Sequence, residues 1–454
     1  FGLGDGGDKL GRGVRPNVVV EEGTDVEVDV LLTKIADVTC ARSPQAEGRY
    51  FHTATLLQDG RVLLVGGANT DAGPGTSSQE LLASQSAELF DPGTGTFAPA
   101  GTLSSPRMFH SATLLYDGRV AIAGGAQEMR VERGTAGVFP LQPQLVLDTV
   151  EIWDPGLERF DAEATVVDPE GPRVFHAATL TSDGYLLLTG GIPAAVAPYD
   201  LSNAMDSTTL CGGKALTCTV GPAMQRRRAG HHAVLLDESD VIIIGGSIDA
   251  SGDGHLPEVQ RAGDDAFALH AGPGFTDGRS NLFFAALTRY ETFRALLAGG
   301  LRRDENARFS PATVTVDGVA KGPAYVLDGL GQSAVSLSAG PADGSPLSIP
   351  EPSFLGGVAA LPDGLRAVVA GGFRSLDLEP SDQLAQFTEA SLTIAAISVG
   401  GQTRKLREAR GGLTALGVDN GTVLFAGGAS PGAEDGRFPN TTAELFTDAK
   451  DPTP

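Results

Sequence analysis

The chain has 454 residues, of which 41% are hydrophobic and 20% are charged, a composition that provides for a buried core and excludes a disordered or coiled-coil protein. Its 33 basic and 56 acidic residues give a formal net charge of −23, which disfavours nucleic acid and anionic membranes as partners. No apolar run is long enough to cross a bilayer, so we expect no transmembrane segment. The 61 Gly and 28 Pro residues are spread along the chain and favour many short strands joined by tight turns.

Residues 1–35 are predicted to form an N-terminal extension or linker with one or two strands. The sequence starts at Phe1 without a visible signal peptide, so we expect a processed or trimmed form. Asp25–Val30 (DVEVDV) alternates between acidic and apolar residues, which indicates a strand with one buried face. Two interpretations stay open for it: the remnant of a preceding β-sandwich domain, or a strand added outside the main domain.

A repeated pattern begins at Phe51 and occurs seven times. Its four clear copies are Phe51–Gly67 (FHTATLLQDGRVLLVGG), Phe109–Gly125, Phe175–Gly191 and Gly230–Gly246. Three weaker copies end at Gly300, Gly372 and Gly428. The first glycines of the doublets stand at positions 66, 124, 190, 245, 299, 371 and 427. So regular a series predicts one supersecondary unit used repeatedly.

Each copy is predicted to be a β-hairpin. Two apolar runs flank a pair such as Asp59-Gly60, which tolerates positive φ and favours a tight turn. A third strand is indicated by AELFDP at Ala87–Pro92 and VEIWDP at Val150–Pro155, and a fourth follows each. Four antiparallel strands repeated around an axis are typical of a propeller. We therefore predict an all-β, seven-bladed propeller over residues 36–454.

The two ends of the propeller are predicted to meet in the last blade. The seventh copy reaches its third strand at Ala443–Phe446 and lacks a fourth. Ala36–Arg42 precedes the first repeat just as the other fourth strands precede theirs. We expect this N-terminal segment to complete the last blade and close the ring.

The motif as a whole resembles the kelch repeat, as found in kelch proteins and in galactose oxidase. Arg-x-x-His, a tight turn, Gly-Gly and Ala/Val-Glu followed by two apolar residues and Asp-Pro carry the resemblance. It covers the chain from about Ala36 to the C-terminus. Copies five and six depart most, because they lack the His.

The repeated pairs Arg49/His52, Arg107/His110, Arg173/His176 and Arg228/His231 suggest a catalytic or metal site at first sight. They occupy the same register in successive units, however, and repeated polar groups usually satisfy backbone groups of their own unit. We expect a structural role for them. No G-x-S-x-G, H-E-x-x-H or P-loop motif is present.

The resemblance to galactose oxidase implies a copper radical site with two Tyr, two His and a Tyr crosslinked to Cys. One of those Tyr ligands directly precedes a repeat His, but here that slot holds Phe51, Phe109, Phe175 and Gly230. The chain has six Tyr residues, none of them beside a Cys. We therefore expect neither copper nor enzymatic activity.

The long segments after the Gly-Gly doublets are predicted to form a binding surface. Ala68–Gln85 and Ala126–Asp148 are much longer than the tight turns, which emerge at the other end of the sheets. A long loop is usually functional or disordered. The alternative is that these loops have no binding role. The predicted apolar and cationic anchors of this surface are Met129, Arg130, Arg133, Phe139 and Leu141.

One candidate metal site and one candidate disulfide complete the set. Asp249, Ser251 and Asp253, with Glu258 beyond, are spaced like the start of a calcium loop, although acidic Gly-rich loops are common on solvated surfaces. Cys211 and Cys218 bracket a Gly-rich loop and are expected to pair in an oxidising compartment, two free thiols being the alternative. Cys40 has no obvious partner.

The leading functional hypothesis is a non-catalytic, extracytoplasmic propeller that presents its loop-rich face to a protein or glycan, with no cofactor other than calcium. The alternatives are a carbohydrate-active or oxidase-like propeller enzyme, and a structural subunit of a larger surface assembly.

Overall fold

The structure is a computed structural model, and its described residues fall in segments separated by short gaps. They are residues 2–3, 9–12, 28, 30–69, 78–132, 137–194, 201–213, 216–235, 240–249, 256–260, 265–271, 275, 281–291, 293–329, 336–340, 345–418, 421–431 and 437–448.

The regular secondary structure of the described residues consists of antiparallel β-sheets, apart from one 3₁₀ turn at Glu389–Ser391. The first three sheets each contain four strands in chain order. Sheet 1 contains Thr53–Leu56, Val62–Val65, Ser86–Asp91 and Thr96–Thr102. Sheet 2 contains Ser111–Leu114, Val120–Ala123, Thr149–Asp154 and Arg159–Val167. Sheet 3 contains Ala177–Leu180, Leu186–Thr189, Thr208–Gly212 and Thr217–Val220.

The next three sheets follow the same plan, with one enlargement. Sheet 4 contains His232–Leu235, Val241–Ile244, Glu258–Gln260 and Ala268–Leu269. Sheet 5 has six strands instead of the expected four: Ala286–Glu291, Arg294–Ala298, Val319–Asp328, Val314–Val316, Ser336–Ser338 and Ser348–Ile349. The cause is the ten-residue strand Val319–Asp328, which is long enough to pair with three short strands at different points along its length. Sheet 6 contains Gly357–Ala360, Arg366–Ala370, Leu384–Thr388 and Thr393–Ala396.

Sheet 7 combines strands from both ends of the sequence. Thr414–Val418, Thr422–Ala426 and Ala443–Thr447 pair in chain order, and the fourth strand is Val38–Cys40. Val38 lies opposite Phe446, and Cys40 lies opposite Glu444. The N-terminal residues thus occupy the position that a fourth strand takes in the other sheets. This series of antiparallel sheets confirms the predicted all-β, propeller-like fold.

Smaller sheets lie outside this series. A three-stranded sheet joins the post-doublet segments of sheets 1 and 2 and is named here the cap sheet: Ser78–Leu82, Ala126–Glu132 and Leu141–Val146. Two-stranded ribbons are formed by Leu301–Arg303 with Phe309–Pro311, Ser398–Val399 with Gln402–Thr403, and Ala429–Pro431 with Arg437–Pro439. Near the N-terminus, Gly2–Leu3, Lys9–Arg12 and Thr33–Lys34 form a further sheet.

Burial differs between the first two strands of each unit. The second strands, such as Val62–Val65 and Val241–Ile244, are buried along their whole length. Most first strands, such as Ser111–Leu114, are only half-buried, whereas that of sheet 6, Gly357–Ala360, is buried at three of its four positions. Apolar cores lie between successive sheets: Leu63 and Val65 of sheet 1 pack with Val120 and Ile122 of sheet 2. Each small sheet therefore depends on its neighbours for a core.

Among the described residues no helix has the length and apolar character needed to cross a membrane.

Candidate functional site

A buried arginine holds the Gly-Gly doublet in five of the repeats. In each case Nη1 donates to the carbonyl of the first doublet glycine, 17 residues further along the chain, at 2.7 to 3.1 Å. The five arginines are Arg49, Arg107, Arg173, Arg228 and Arg410, all with no exposed surface. The contact fixes the point where the second strand leaves the sheet. In this respect the arginine serves its own unit, as the sequence predicted.

Each of these guanidinium groups also forms an ion pair with a buried carboxylate. Glu88, Glu151, Glu258 and Glu444 come from the third strand of their own sheet. Burial lowers the pKa of Arg107, and the adjacent Glu151 carboxylate opposes this shift. The sequence analysis did not assign these glutamates, although the Glu of AELF and VEIW accompanies the arginine in those copies and was the available signal.

In sheet 3 the buried arginine pairs with a carboxylate from outside the third strand. Thr209 occupies the register of the third-strand glutamate. The carboxylate comes instead from Asp168, which precedes Arg173 by five residues and lies 2.6 Å from its Nε. Asp168 also accepts a hydrogen bond from the Thr209 hydroxyl. The charge on Arg173 is therefore balanced by a residue that no third-strand motif could indicate.

The repeat histidines connect neighbouring sheets, which differs from the expected role within one unit. The Nε2 atoms of His110 and His176 lie 2.9 Å from the hydroxyls of Thr53 and Ser111, each in the preceding sheet. Burial, together with the nearby arginines, lowers the pKa of His176 to about 3. The imidazole is thus neutral and committed to a structural contact.

The residue before each histidine position belongs to a series with left-handed backbone. The seven φ values lie between 51° and 66°, at Phe51, Phe109, Phe175, Gly230, Phe284, Leu355 and Gly412. Main-chain hydrogen bonds link these residues successively: Phe109 donates to Phe51, Phe51 to Gly412, Gly412 to Leu355, Leu355 to Phe284, Phe284 to Gly230 and Gly230 to Phe175. The phenylalanines of this series form an aromatic cluster: the ring centroids of Phe51 and Phe109 are 4.2 Å apart and stacked, and those of Phe175 and Phe284 are 5.1 Å apart.

The cap sheet packs on this aromatic cluster, and three of the predicted surface anchors are buried there. Met129, Phe139 and Leu141 are at most 1% exposed and pack in the same core as the phenylalanines of this cluster. Phe139 stacks on Phe284 at 4.8 Å with nearly parallel rings. These three residues are therefore not surface anchors, because the post-doublet segments of sheets 1 and 2 pair as strands and pack on the aromatic cluster instead of standing out as loops.

Of the two predicted cationic anchors, the structure describes one. Arg130 is exposed on the cap sheet and pairs with Glu132 at 2.9 Å. Arg133 lies outside the described residues. A protein or glycan partner at this end of the molecule stays a prediction.

The calcium candidate is not assembled as the spacing suggested. Glu258 is fully buried and binds Arg228 at 2.9 Å, so its carboxylate belongs to the arginine network. Asp249 pairs with Arg227 at 3.2 Å, while Ser251 and Asp253 lie outside the described residues. Within the described part of the chain, no group of three or more His, Cys, Asp or Glu side chains could hold a metal ion.

The three cysteines are divided between a disulfide and a free thiol. Cys211 and Cys218 are bonded across the outer hairpin of sheet 3, where they lie opposite each other in register. Cys40 is exposed and free.

Comparisons with known proteins identify a similar fold. No protein-family model and no curated protein matches the sequence. A solved structure of a fungal alcohol oxidase of the AA5 family, in complex with copper, is similar to this chain with a TM-score of 0.58 and 14% identity. The match covers 90% of this chain and 76% of that one. At this identity the likeness shows the fold.

This match contradicts three of the expectations drawn from the sequence. The leading hypothesis of a non-catalytic binding or scaffolding protein, the absence of enzymatic activity and the absence of a cofactor are corrected, because a protein of similar fold is an oxidase in complex with copper. The finding favours the oxidase-like alternative. The expectation had rested on the missing copper ligands and on the absence of other catalytic motifs, and these absences do not exclude the enzyme class.

The described residues nevertheless do not fit the copper centre that the resemblance implies. The slot expected to hold a tyrosine ligand is occupied by Phe51, Phe109 and Phe175, which pack on one another. The Nε2 atom of His231 bonds to Thr189 and that of His232 to a backbone carbonyl. No copper ligand and no reaction step through copper is therefore assigned to these residues.

Proposed function

We propose that this chain is an oxidase-like propeller enzyme that oxidises a hydroxyl group of an alcohol or carbohydrate. The observation that carries the proposal is the similarity in fold to a copper-complexed alcohol oxidase over 90% of this chain. The composition also agrees with it, since an acidic surface suits a neutral, hydroxyl-bearing substrate better than a phosphorylated one. The proposal places no copper ligand among the phenylalanines of the aromatic cluster.

The test is oxygen consumption by the purified protein. Primary alcohols, galactose and soluble oligosaccharides serve as substrates, before and after dialysis against Cu(II), with hydrogen peroxide measured in parallel. We expect oxygen uptake and an equal amount of peroxide with at least one substrate class. Dependence on added copper separates a copper enzyme from one that uses other chemistry. Absence of turnover on every substrate, with and without copper, contradicts the proposal.

We further propose that the seven main sheets form a closed, kelch-type ring over residues 36–454. Two observations support closure: the N-terminal strand Val38–Cys40 in sheet 7, and the succession of main-chain hydrogen bonds from Phe109 through Gly412 to Phe175. Deleting residues 1–41 is expected to lower the Tm strongly, whereas deleting residues 1–27 leaves it nearly unchanged. Equal Tm values for the two truncations contradict closure by this strand.

We also propose that the protein works outside the cytoplasm. The disulfide between Cys211 and Cys218 supports this, because such bonds are rare where glutathione keeps thiols reduced. Alkylation of the protein recovered from its native source, with and without prior reduction, followed by mass spectrometry, tests the proposal. If both cysteines are alkylated without prior reduction, they are free thiols in the native protein and the proposal is overturned.

A further inference from the structure

Two exposed tyrosines lie at the end of the molecule opposite the cap sheet, where the tight hairpin turns emerge. Tyr116 is 65% exposed in the turn of sheet 2, and Tyr185 is 43% exposed just before the second strand of sheet 3. The Tyr116 ring lies 3.3 Å from the position where a side chain would begin on Gly184, the residue before Tyr185. The two rings therefore belong to one surface, named here the tyrosine surface.

Contacts beneath the rings hold them in place. The Tyr116 hydroxyl donates to the carbonyl of Thr181 in the next sheet, and Gln58 of the preceding sheet donates to the Tyr116 carbonyl, both at 3.4 Å. Cε1 of Tyr185 lies 2.6 Å from the position of a Cβ on Gly212, so that ring packs directly against glycine backbone. Gly212 belongs to the hairpin that the Cys211–Cys218 disulfide closes. Because these contacts already fix the ring, a ligand that binds its exposed face loses little additional side-chain entropy.

The polar groups nearby exclude an anionic ligand. Arg61 pairs with Asp59 and Glu158, each at 2.7 Å, and Arg119 pairs with Asp117 at 2.8 Å. The arginines of these turns are thus neutralised by carboxylates, and the protein as a whole is strongly acidic. A phosphate or sulfate group would meet net repulsion here.

We propose that the tyrosine surface binds an uncharged carbohydrate chain. A flat aromatic face offers apolar contact to the C–H side of a sugar ring, and the tyrosine hydroxyl remains a polar handle. The carboxylate of Asp183 and the amide of Gln58, at its edge, supply acceptors and donors for sugar hydroxyls. The surface lies at the opposite end of the sheets from the cap sheet.

Affinity electrophoresis in gels containing hydroxyethylcellulose, galactomannan or soluble starch tests this assignment. We expect retardation by at least one of these uncharged polymers. Tyr116→Ala and Tyr185→Ala should each weaken binding by about tenfold, as loss of an aromatic anchor commonly does. Tyr116→Phe should retain most of the binding because it keeps the ring. Phe293→Ala, which removes an exposed aromatic from the turn of sheet 5, is the matched control and should bind like the unaltered protein.

Several outcomes overturn the proposal. They are the absence of retardation by all three polymers, or equal retardation of the unaltered protein and both alanine variants. A dimer in analytical ultracentrifugation that Tyr116→Ala dissociates would assign the surface to self-association instead. Because the readout is binding, a failure here does not affect the oxidase proposal, and an absence of turnover does not affect this one.

Discussion

His52 and Thr414 lie 362 residues apart in sequence, and the imidazole Nε2 of the first is 3.0 Å from the hydroxyl of the second. The same contact joins His110 to Thr53 and His176 to Ser111 in the interior of the series. The pair at the ends of the repeat array therefore has the geometry of an ordinary junction between neighbouring sheets.

We predict that His52 and Thr414 are energetically coupled. His52→Ala removes a buried ring and leaves the Thr414 hydroxyl without its partner, so the free energy of unfolding should fall by ~2–4 kcal/mol. A double-mutant cycle with Thr414→Ser and Thr414→Val, measured by urea denaturation, gives the coupling. We expect the Val series to show a coupling of about 1 kcal/mol and the Ser series almost none. Additive effects in both series would show that the contact contributes nothing.

Acid should destabilise the protein through its buried histidines. Burial holds the pKa of His176 at about 3, below the ordinary value of 6.5, so the unfolded chain binds a proton that the folded chain does not. The stability contributed by this neutral ring is fully present above pH 6.5, falls as the pH drops towards 3, and is lost below that.

The slope of unfolding free energy against pH measures this effect. Between pH 6 and 4, His176 should contribute about 1.4 kcal/mol per pH unit. His176→Asn, which cannot titrate, should reduce the slope by that amount. An identical slope in His176→Asn and in the unaltered protein rules out the proposed linkage.

Loss of Asp168 should be as damaging as loss of a third-strand glutamate. Asp168→Ala and Glu151→Ala each leave a fully buried guanidinium without its carboxylate, which costs about 3–5 kcal/mol. Glu379→Ala, which removes an exposed ion pair with Arg374, is the matched control and should change stability by less than about 1 kcal/mol. Denaturation in guanidinium chloride measures the unfolding free energy of all three variants. A mild effect of Asp168→Ala would show that Thr209 alone satisfies Arg173.

The sequence predicted the parts of the fold that repeat. The hairpins from Phe51 to Gly67 and from Phe109 to Gly125 were visible because a turn pair and a glycine doublet mark each of them. Their repetition also led to the correct position of the N-terminal strand Val38–Cys40. Local chemistry specifies such elements, so a single sequence carries the signal.

The parts that were missed depend on contacts between distant segments. Phe139 was expected at the surface, but it packs on Phe284, which lies just before the first strand of sheet 5, and no local pattern encodes that contact. Glu258 was assigned to a calcium loop by spacing alone, although the repeat register places it beneath Arg228. Aligning the third strands on the Arg–Glu pair would have found its role, whereas the Phe139 contact required the tertiary structure.

Closure of the ring can be tested most directly by hydrogen exchange at its axial amides. The amides of Phe51, Gly230, Phe284, Leu355 and Gly412 donate to the carbonyls of neighbouring units. In the complete chain, we predict that these five amides exchange together, with a free energy close to that of global unfolding. Removal of residues 1–41 should abolish protection at all five. Unequal protection in the complete chain, or full protection after that truncation, would contradict a ring closed by the N-terminal strand.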